Sequence, residues 1–241
     1  MQLGKKDIGE PVVAGSTPET AKIFEQVSNL ECIRDLYLCG GTAQSLQMLH
    51  RESEDLDFEL IGIRKERPAL DFAGITTELK SVFDNVKFDI LGDDHFLAYV
   101  GNDKVKLSFF RPSNTVKCLN VGYEYNNIKA PTLQELLGMK VYTACIREEF
   151  RDYYDIYCLL YSGCSLKEAV SYASYFSRRS LHSKDMYSRL LSPQFYLHEF
   201  DYLRMNPKYN VSRDDIRQFI ATVMEKEMSL SSKGKDIGIR R

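Results

Sequence analysis

Apolar positions in the first half of this chain fall into short runs with strand-like spacing, and after Pro131 they shift to helical spacing. Ser16-Thr17-Pro18-Glu19 reads as an N-cap with proline at the first helical position and predicts a helix to about Leu30. Leu36 to Cys39 is a short apolar strand that runs into Gly40-Gly41-Thr42. Leu46 and Leu49, at helical spacing, predict a short helix directly after the glycines. From Ser53 to Ile61 acidic and apolar residues alternate with period two, as in a strand with one buried face. A helix is expected from Pro68 to Phe83 and a strand from Val86 to Leu91. Phe96–Val100 and Val105–Phe110 should form a hairpin through Gly101-Asn102-Asp103. Beyond Pro131 the chain reads as helical to about Leu230, and Ser231 to Arg241 has nothing to bury, so it should be loose or docked on a partner. The Ala130-Pro131-Thr132 break divides the chain into an expected α/β domain, 1–130, and an expected helical domain, 131–241.

Composition narrows the class. With 44% hydrophobic and 27% charged residues, 15 Tyr and 13 Phe, the 241-residue chain can fill a core, which excludes disorder and low-complexity architectures. It has no apolar run of membrane-spanning length and no apolar signal-peptide core at its start, so a cytoplasmic protein is expected. The six cysteines form no C-x-x-C pair and fit reduced core thiols better than a zinc site or disulfide framework. The formal net charge of −2 hides an asymmetry. Residues 1–139 hold 15 basic and 21 acidic side chains, and residues 140–241 hold 17 and 13, so the halves carry −6 and +4.

Asp55 and Asp57 sit two apart on a predicted strand and therefore share a face. Two neighbouring carboxylates repel, and a divalent cation between them relieves that; hard oxygen donors of this kind suit Mg²⁺ carrying a substrate's phosphates. A solvated strand face would give the same pattern. The context upstream favours the metal, because Gly40-Gly41-Thr42 offers backbone N–H groups, a helix N-terminus and a hydroxyl to an anion. Phosphate on one side and metal on the other make a nucleotide site.

Gly40-Gly41-Thr42-Ala43-Gln44-Ser45-Leu46 followed by Arg51-Glu52-Ser53-Glu54-Asp55-Leu56-Asp57-Phe58 resembles the G-G-T-A-L … R-x-S-x-D-L-D-F signature of the AbiEii/AbiGii toxin family of nucleotidyltransferases. A second block, Pro131 to Leu136, Met139-Lys140, Ala144, Arg147 and Arg151-Asp152-Tyr153-Tyr154-Asp155-Ile156-Tyr157, resembles that family's downstream segment with its lysine and R-D-x-x-D-I motif. The resemblance spans about Leu36 to Leu160. It implies an α+β fold of the polymerase-beta nucleotidyltransferase type, with a small mixed β-sheet flanked by helices and a helical C-terminal domain behind it. It also implies a toxin of a toxin–antitoxin or phage-defence system that transfers a nucleotide from an NTP, with tRNA as the first acceptor class and a cognate antitoxin as a possible partner.

If Lys140 to Asp155 formed one helix, Lys140, Arg147, Arg151 and Asp155 would share about 80° of arc and present one polar stripe. Such a stripe could neutralise a triphosphate, or it could be a surface laced by ion pairs. Arg151 and Asp152 could equally cap or buttress the helix. The expected assignment places phosphates on Gly40, Gly41 and the Thr42 hydroxyl, with Arg147, Arg151 and Asp152 lining the nucleotide. Mg²⁺ falls to Asp55 and Asp57, the phosphates or leaving pyrophosphate to Lys140, and the acceptor to Asp155. One departure stands out. Many nucleotidyltransferases place a third carboxylate on a neighbouring strand, and here Lys104-Val105-Lys106-Leu107-Ser108 offers Ser108 instead. The general base is then unassigned, with Asp155 the first candidate and Asp89 the second. This departure also permits a binding protein without turnover, and antibiotic-type nucleotidylation of a small molecule would share the metal site.

Weaker signals lie further on. Arg178, Arg179, Lys184 and Arg189 interleave with Tyr172, Tyr175, Phe176 and Tyr187, either as a nucleic-acid track or as an amphipathic helix pair with its aromatics inward. The four histidines have no metal-binding spacing and are expected at the surface or satisfied in the core.

Overall fold

The computed structural model describes residues 14–61, 69–111, 119–147, 149–177, 180–191 and 205–236, with side chains through residue 229. Helix α1 (Pro18–Ser28) begins as its sequence predicts: Pro18 occupies the first turn and Thr17 caps it through its side chain. Strand β1 (Tyr37–Cys39) passes without a loop into α2 (Gly40–Met48), which ends at Leu49 in the left-handed conformation. Strand β2 (Leu56–Glu59) follows, shorter than the alternation from Ser53 suggests, because residues 53–55 turn away to bond the N-terminal segment. The Ser53 N–H donates to the Gly15 carbonyl, and the Thr17 N–H donates to the Ser53 carbonyl.

Helix α3 (Phe72–Val82) starts after its N-cap Asp71, whose carboxylate accepts from the Gly74 N–H at 2.9 Å; Pro68, the expected start, lies outside the described residues. Strands β3 (Val86–Gly92), β4 (His95–Val100) and β5 (Val105–Phe110) complete a mixed five-stranded sheet in the order β1-β2-β5-β4-β3. The β2–β5 pair is parallel and the other neighbours are antiparallel. A second hairpin, β6 (Val121–Tyr125) and β7 (Ile128–Pro131), turns through Asn126-Asn127, with Asn126 at φ +49°, and packs beside β1. This hairpin is not apparent from the sequence.

Beyond it come α4 (Leu133–Ile146), α5 (Phe150–Tyr161), α6 (Leu166–Phe176), α7 (Ser183–Leu191) and α8 (Arg213–Asp236). A reciprocal Thr132–Glu135 capping box opens α4 directly after the proline break. The segment from residue 231, expected to be loose or docked on a partner, continues α8 as far as Asp236, since each residue added to an established helix gains a hydrogen bond without a new nucleation cost.

Alternation along the sheet sorts its faces. Leu38, Leu56, Phe58, Phe96, Ala98, Val105, Leu107 and Phe109 join residues of α1 and α3 in one buried core. A second core is built from α4 to α8 around Leu137, Val141, Tyr153, Tyr154, Leu159, Met186 and Ile216. Helix α4 serves both, with Leu136 in the first and Leu137 in the second. The opposite sheet face carries the polar residues.

Candidate active site

The polar sheet face is organised by register. Cys39, Asp57, Ser108 and Leu97 lie side by side across β1, β2, β5 and β4, and Tyr37, Glu59, Phe110 and His95 form the adjacent row. Asp55 reaches the same face and pairs with Lys106 at 2.5 Å. Burial raises the Asp57 carboxyl above the usual carboxylate range, and the nearby Asp55 charge adds to this, against the opposing pull of Lys106, Lys140 and Arg147. Glu59, two residues on, is buried beside Cys39, and burial together with the Asp57 charge pushes it up to about 8. Here the structure adds a carboxylate to the pair that sequence reasoning singled out. The signal was the same period-two alternation, carried one step further.

The two glycines fit this corner for different reasons. Gly40 has φ +68°, and a Cβ there would stand 2.7 Å from Asp57 Oδ2, so backbone and carboxylate approach more closely than any side chain permits. At Gly41 a Cβ would meet Arg51 Nη2 at 2.2 Å. The α2 N-terminus therefore lies between Asp57 and Arg51. No side chain caps it, and the N–H groups of a helix's first turn lack intrahelical acceptors. The Thr42 hydroxyl, expected to contact phosphate, is engaged otherwise. It is buried, lies 2.9 Å from Ser53 Oγ and donates to the Asp55 carbonyl, so it ties α2 to the strand that carries the carboxylates.

The single polar helix of the sequence reading is corrected. The chain leaves the helix at Arg147 (φ −126°, ψ 136°) and re-enters at Phe150, with Glu149 as N-cap, so Lys140 lies on α4 and Asp152 and Asp155 on α5. What results is a buried ionic cluster between helices. Lys140 Nζ lies 2.8 Å from Asp152 and 2.7 Å from Asp155. Arg51 donates to both Asp155 oxygens, at 2.7 and 3.0 Å, and His50 Nε2 is 2.8 Å from Asp155. Arg147 Nε donates to Asp152 at 2.9 Å while nearly half of its side chain stays exposed.

Asp155 has no exposed surface. Burial by itself would raise its carboxyl, but the Arg51 and Lys140 charges and the hydrogen bonds from Arg51 and His50 outweigh burial and hold it well below the usual range. A carboxylate so placed is a poor proton acceptor, so the expectation that Asp155 activates an acceptor does not suit its surroundings. Lys140 is likewise buried. Desolvation works to lower it, yet Asp152 and Asp155 keep it raised and charged. Arg151 stands apart from the cluster and pairs with Glu149 at 2.6 Å on the surface. Sequence reasoning quoted Arg51 within its motif but gave it no task. His50 was passed over as a lone histidine; it lies in the core with Nε2 on Asp155, while its buried Nδ1 has no hydrogen-bond partner among the described residues, so the expected satisfaction is only half met.

A family comparison shows where such a site belongs: the sequence model described as "Nucleotidyl transferase AbiEii toxin, Type IV TA system" matches residues 25–236. The chain belongs to this AbiEii family. The AbiEii match takes in both the glycine–carboxylate corner and the buried cluster, and it places the protein in a family described as nucleotidyl transferase toxins of type IV toxin–antitoxin systems. Among solved structures, JHP933 from Helicobacter pylori shares the fold, with a TM-score of 0.57 over 92% of this chain and 99% of that one at 15% identity. Comparison with curated proteins gives no match.

Within this AbiEii chain, no group of three or more His, Cys, Asp and Glu side chains is gathered as a metal cage among the described residues. The donors at hand are the two hard carboxylates Asp55 and Asp57, with the Lys106 ammonium already placed as a cation against Asp55. Such a pair suits Mg²⁺, which fills its remaining positions with water and substrate oxygens. In the basic and aromatic stretch the aromatics mostly turn inward: Phe176 is buried and Tyr172 and Tyr187 pack on the cores, while Lys184 and Arg189 are exposed and Arg189 donates to the Cys145 carbonyl. Tyr175 is exposed, and Arg178 and Arg179 lie outside the described residues. No helix of the described residues is long and apolar enough to cross a membrane.

Proposed function

We propose that this chain is a Mg²⁺-dependent enzyme that transfers a nucleoside monophosphate from an NTP to a hydroxyl acceptor, with tRNA the first candidate. We place it in the cytoplasm as the toxin of a toxin–antitoxin or phage-defence system, restrained by a cognate antitoxin. The observation that carries this reading is the approach of Gly40 to Asp57, which sets an uncapped helix N-terminus against a pair of carboxylates on one sheet face. An N–H-rich corner beside acidic donors suits a triphosphate whose charge is shared between backbone and metal. Asp55 and Asp57 would hold Mg²⁺, which when bound supplies charge neutralisation for the phosphates. Gly40 and Gly41 present N–H groups to the phosphate oxygens. Arg147, half exposed and electrostatically coupled to Asp57, completes the positive side.

The buried members take a different role from the expected one. Asp155 and Asp152 hold Lys140, Arg51 and Arg147 in place, so Asp155 acts by positioning cations and leaves proton transfer to another group. The 1–130 and 131–241 segments then work as two domains of one site, with α4 and α5 delivering charge to the sheet.

Incubation with each α-labelled NTP, Mg²⁺ and total tRNA tests the reading. Label on tRNA that is lost with Asp57→Ala is the expected result. Label on a low-mass acceptor would instead identify a small-molecule nucleotidyltransferase. No transfer to RNA, protein or small molecules would leave a nucleotide-binding protein without turnover.

A further inference from the structure

If nucleotidyl transfer is the reaction, something must take the acceptor's proton, and the buried, cation-bound Asp155 is unsuited to it. Ser108 lies in register with Asp57 on the neighbouring parallel strand β5, where a third carboxylate would serve. It is not alone there. His95 Nε2 on β4 stands 3.3 Å from Ser108 Oγ, and Phe110, its partner in register, packs against its ring with centroids 5.7 Å apart. Ser108 is only 5% exposed, whereas His95 is partly open on the face that carries Asp55 and Asp57. The imidazole, not the hydroxyl, is therefore the group an incoming molecule meets.

We propose that His95 is the general base of the transfer and that Ser108 positions it. With Nε2–H donating to Ser108 Oγ, the neutral ring keeps its lone pair on Nδ1. As the acceptor oxygen forms its bond to the α-phosphorus, its proton passes to Nδ1. The bond from the α-phosphorus to the bridging oxygen breaks, and pyrophosphate leaves with that electron pair. Asp55, Asp57 and Glu59 on and beside β2, Lys106 on β5, and Lys87 and Asp89 on β3 are the charged groups on the same sheet face, with Glu59 in the register row of His95 itself. None of them is bonded to the ring in the contacts described.

The test uses the full chain, α-labelled NTP, Mg²⁺ and total tRNA. His95→Gly should lower kcat about a hundredfold or more and leave the KM for NTP within about twofold, since general-base catalysis is commonly worth that much. Added imidazole should restore part of the lost rate, and substituted imidazoles of higher pKa should restore more. Ser108→Ala should lower kcat about tenfold at unchanged KM, and Ser108→Thr should recover most of that loss. A His95→Gln variant with kcat within threefold of wild type would overturn the assignment, as would a His95→Gly enzyme that binds NTP normally and does not respond to imidazole. Absence of transfer by the wild-type chain is a distinct outcome, because it removes the nucleotidyltransferase reading on which this proposal rests.

Discussion

Asp155 shows how far a side chain's surroundings decide its task. Three cationic or hydrogen-bonding partners converge on it, so replacing it leaves buried Arg51 without its carboxylate and Lys140 with Asp152 alone. Asp155→Ala should cost about 3–5 kcal/mol of stability, read from urea unfolding, as expected when one member of a buried ion pair is removed. Its pH signature has a definite sign. The folded carboxyl titrates below its unfolded value of 3.8, so its contribution is present above that value and is lost as pH falls toward the folded pKa. Glu59 has the opposite sign. Its folded form keeps a proton up to about pH 8 while the unfolded form loses it near 4.5, so the folded state binds more protons between those values and stability declines as pH rises. Glu59→Gln should flatten that decline, which unfolding curves at pH 5 and pH 8 would reveal. Thr42 separates two accounts of its hydroxyl. Thr42→Val should lower stability by about 1–3 kcal/mol through the lost bonds to Ser53 and Asp55 and leave the KM for NTP nearly unchanged. A large rise in KM with intact stability would return the hydroxyl to the phosphate.

At the level of elements, what the sequence makes legible is what local rules control. The cap at Thr17, the glycine start of α2, the β4–β5 hairpin and the proline break before α4 all follow from residue type within a few positions. The acidic pair was legible for the same reason, since strand period alone places Asp55 and Asp57 on one face. The break between α4 and α5 was not, because Ile146-Arg147-Glu148-Glu149 contains neither glycine nor proline. The chain turns there to swing Asp152 back onto Lys140 and Arg147, a tertiary demand without a local signature. His95 and Ser108 meet only through strand register, and 13 residues separate them in sequence. The β1–α2 junction gives the sharpest test at this scale. Arg51 is fixed by two bonds to Asp155, so a methyl group at Gly41 cannot simply displace it. Gly41→Ala should therefore weaken NTP binding at least tenfold, by calorimetry, while Gly74→Ala on α3 should leave it unchanged.

For the whole molecule, the −6 and +4 halves describe a charge division that net charge conceals. The acidic share includes the carboxylates on the sheet face, and the basic share includes Lys140 and Arg147, whose charges are partly consumed by Asp152 and Asp155. The excess left for a polyanion is small. Affinity for tRNA should therefore be modest and should fall as salt rises through the physiological range, as filter binding can measure; a salt-independent affinity would argue against an RNA acceptor.

If the corner formed by Gly40, Asp55 and Asp57 carries out nucleotidyl transfer, the Asp57 carboxylate is indispensable to it. The most direct measurement is the rate of label transfer from α-labelled NTP by Asp57→Asn, compared with wild type at equal thermal stability. Transfer should fall by about a hundredfold or more in a protein that still unfolds at the wild-type temperature. Transfer at the wild-type rate by that folded variant would contradict it.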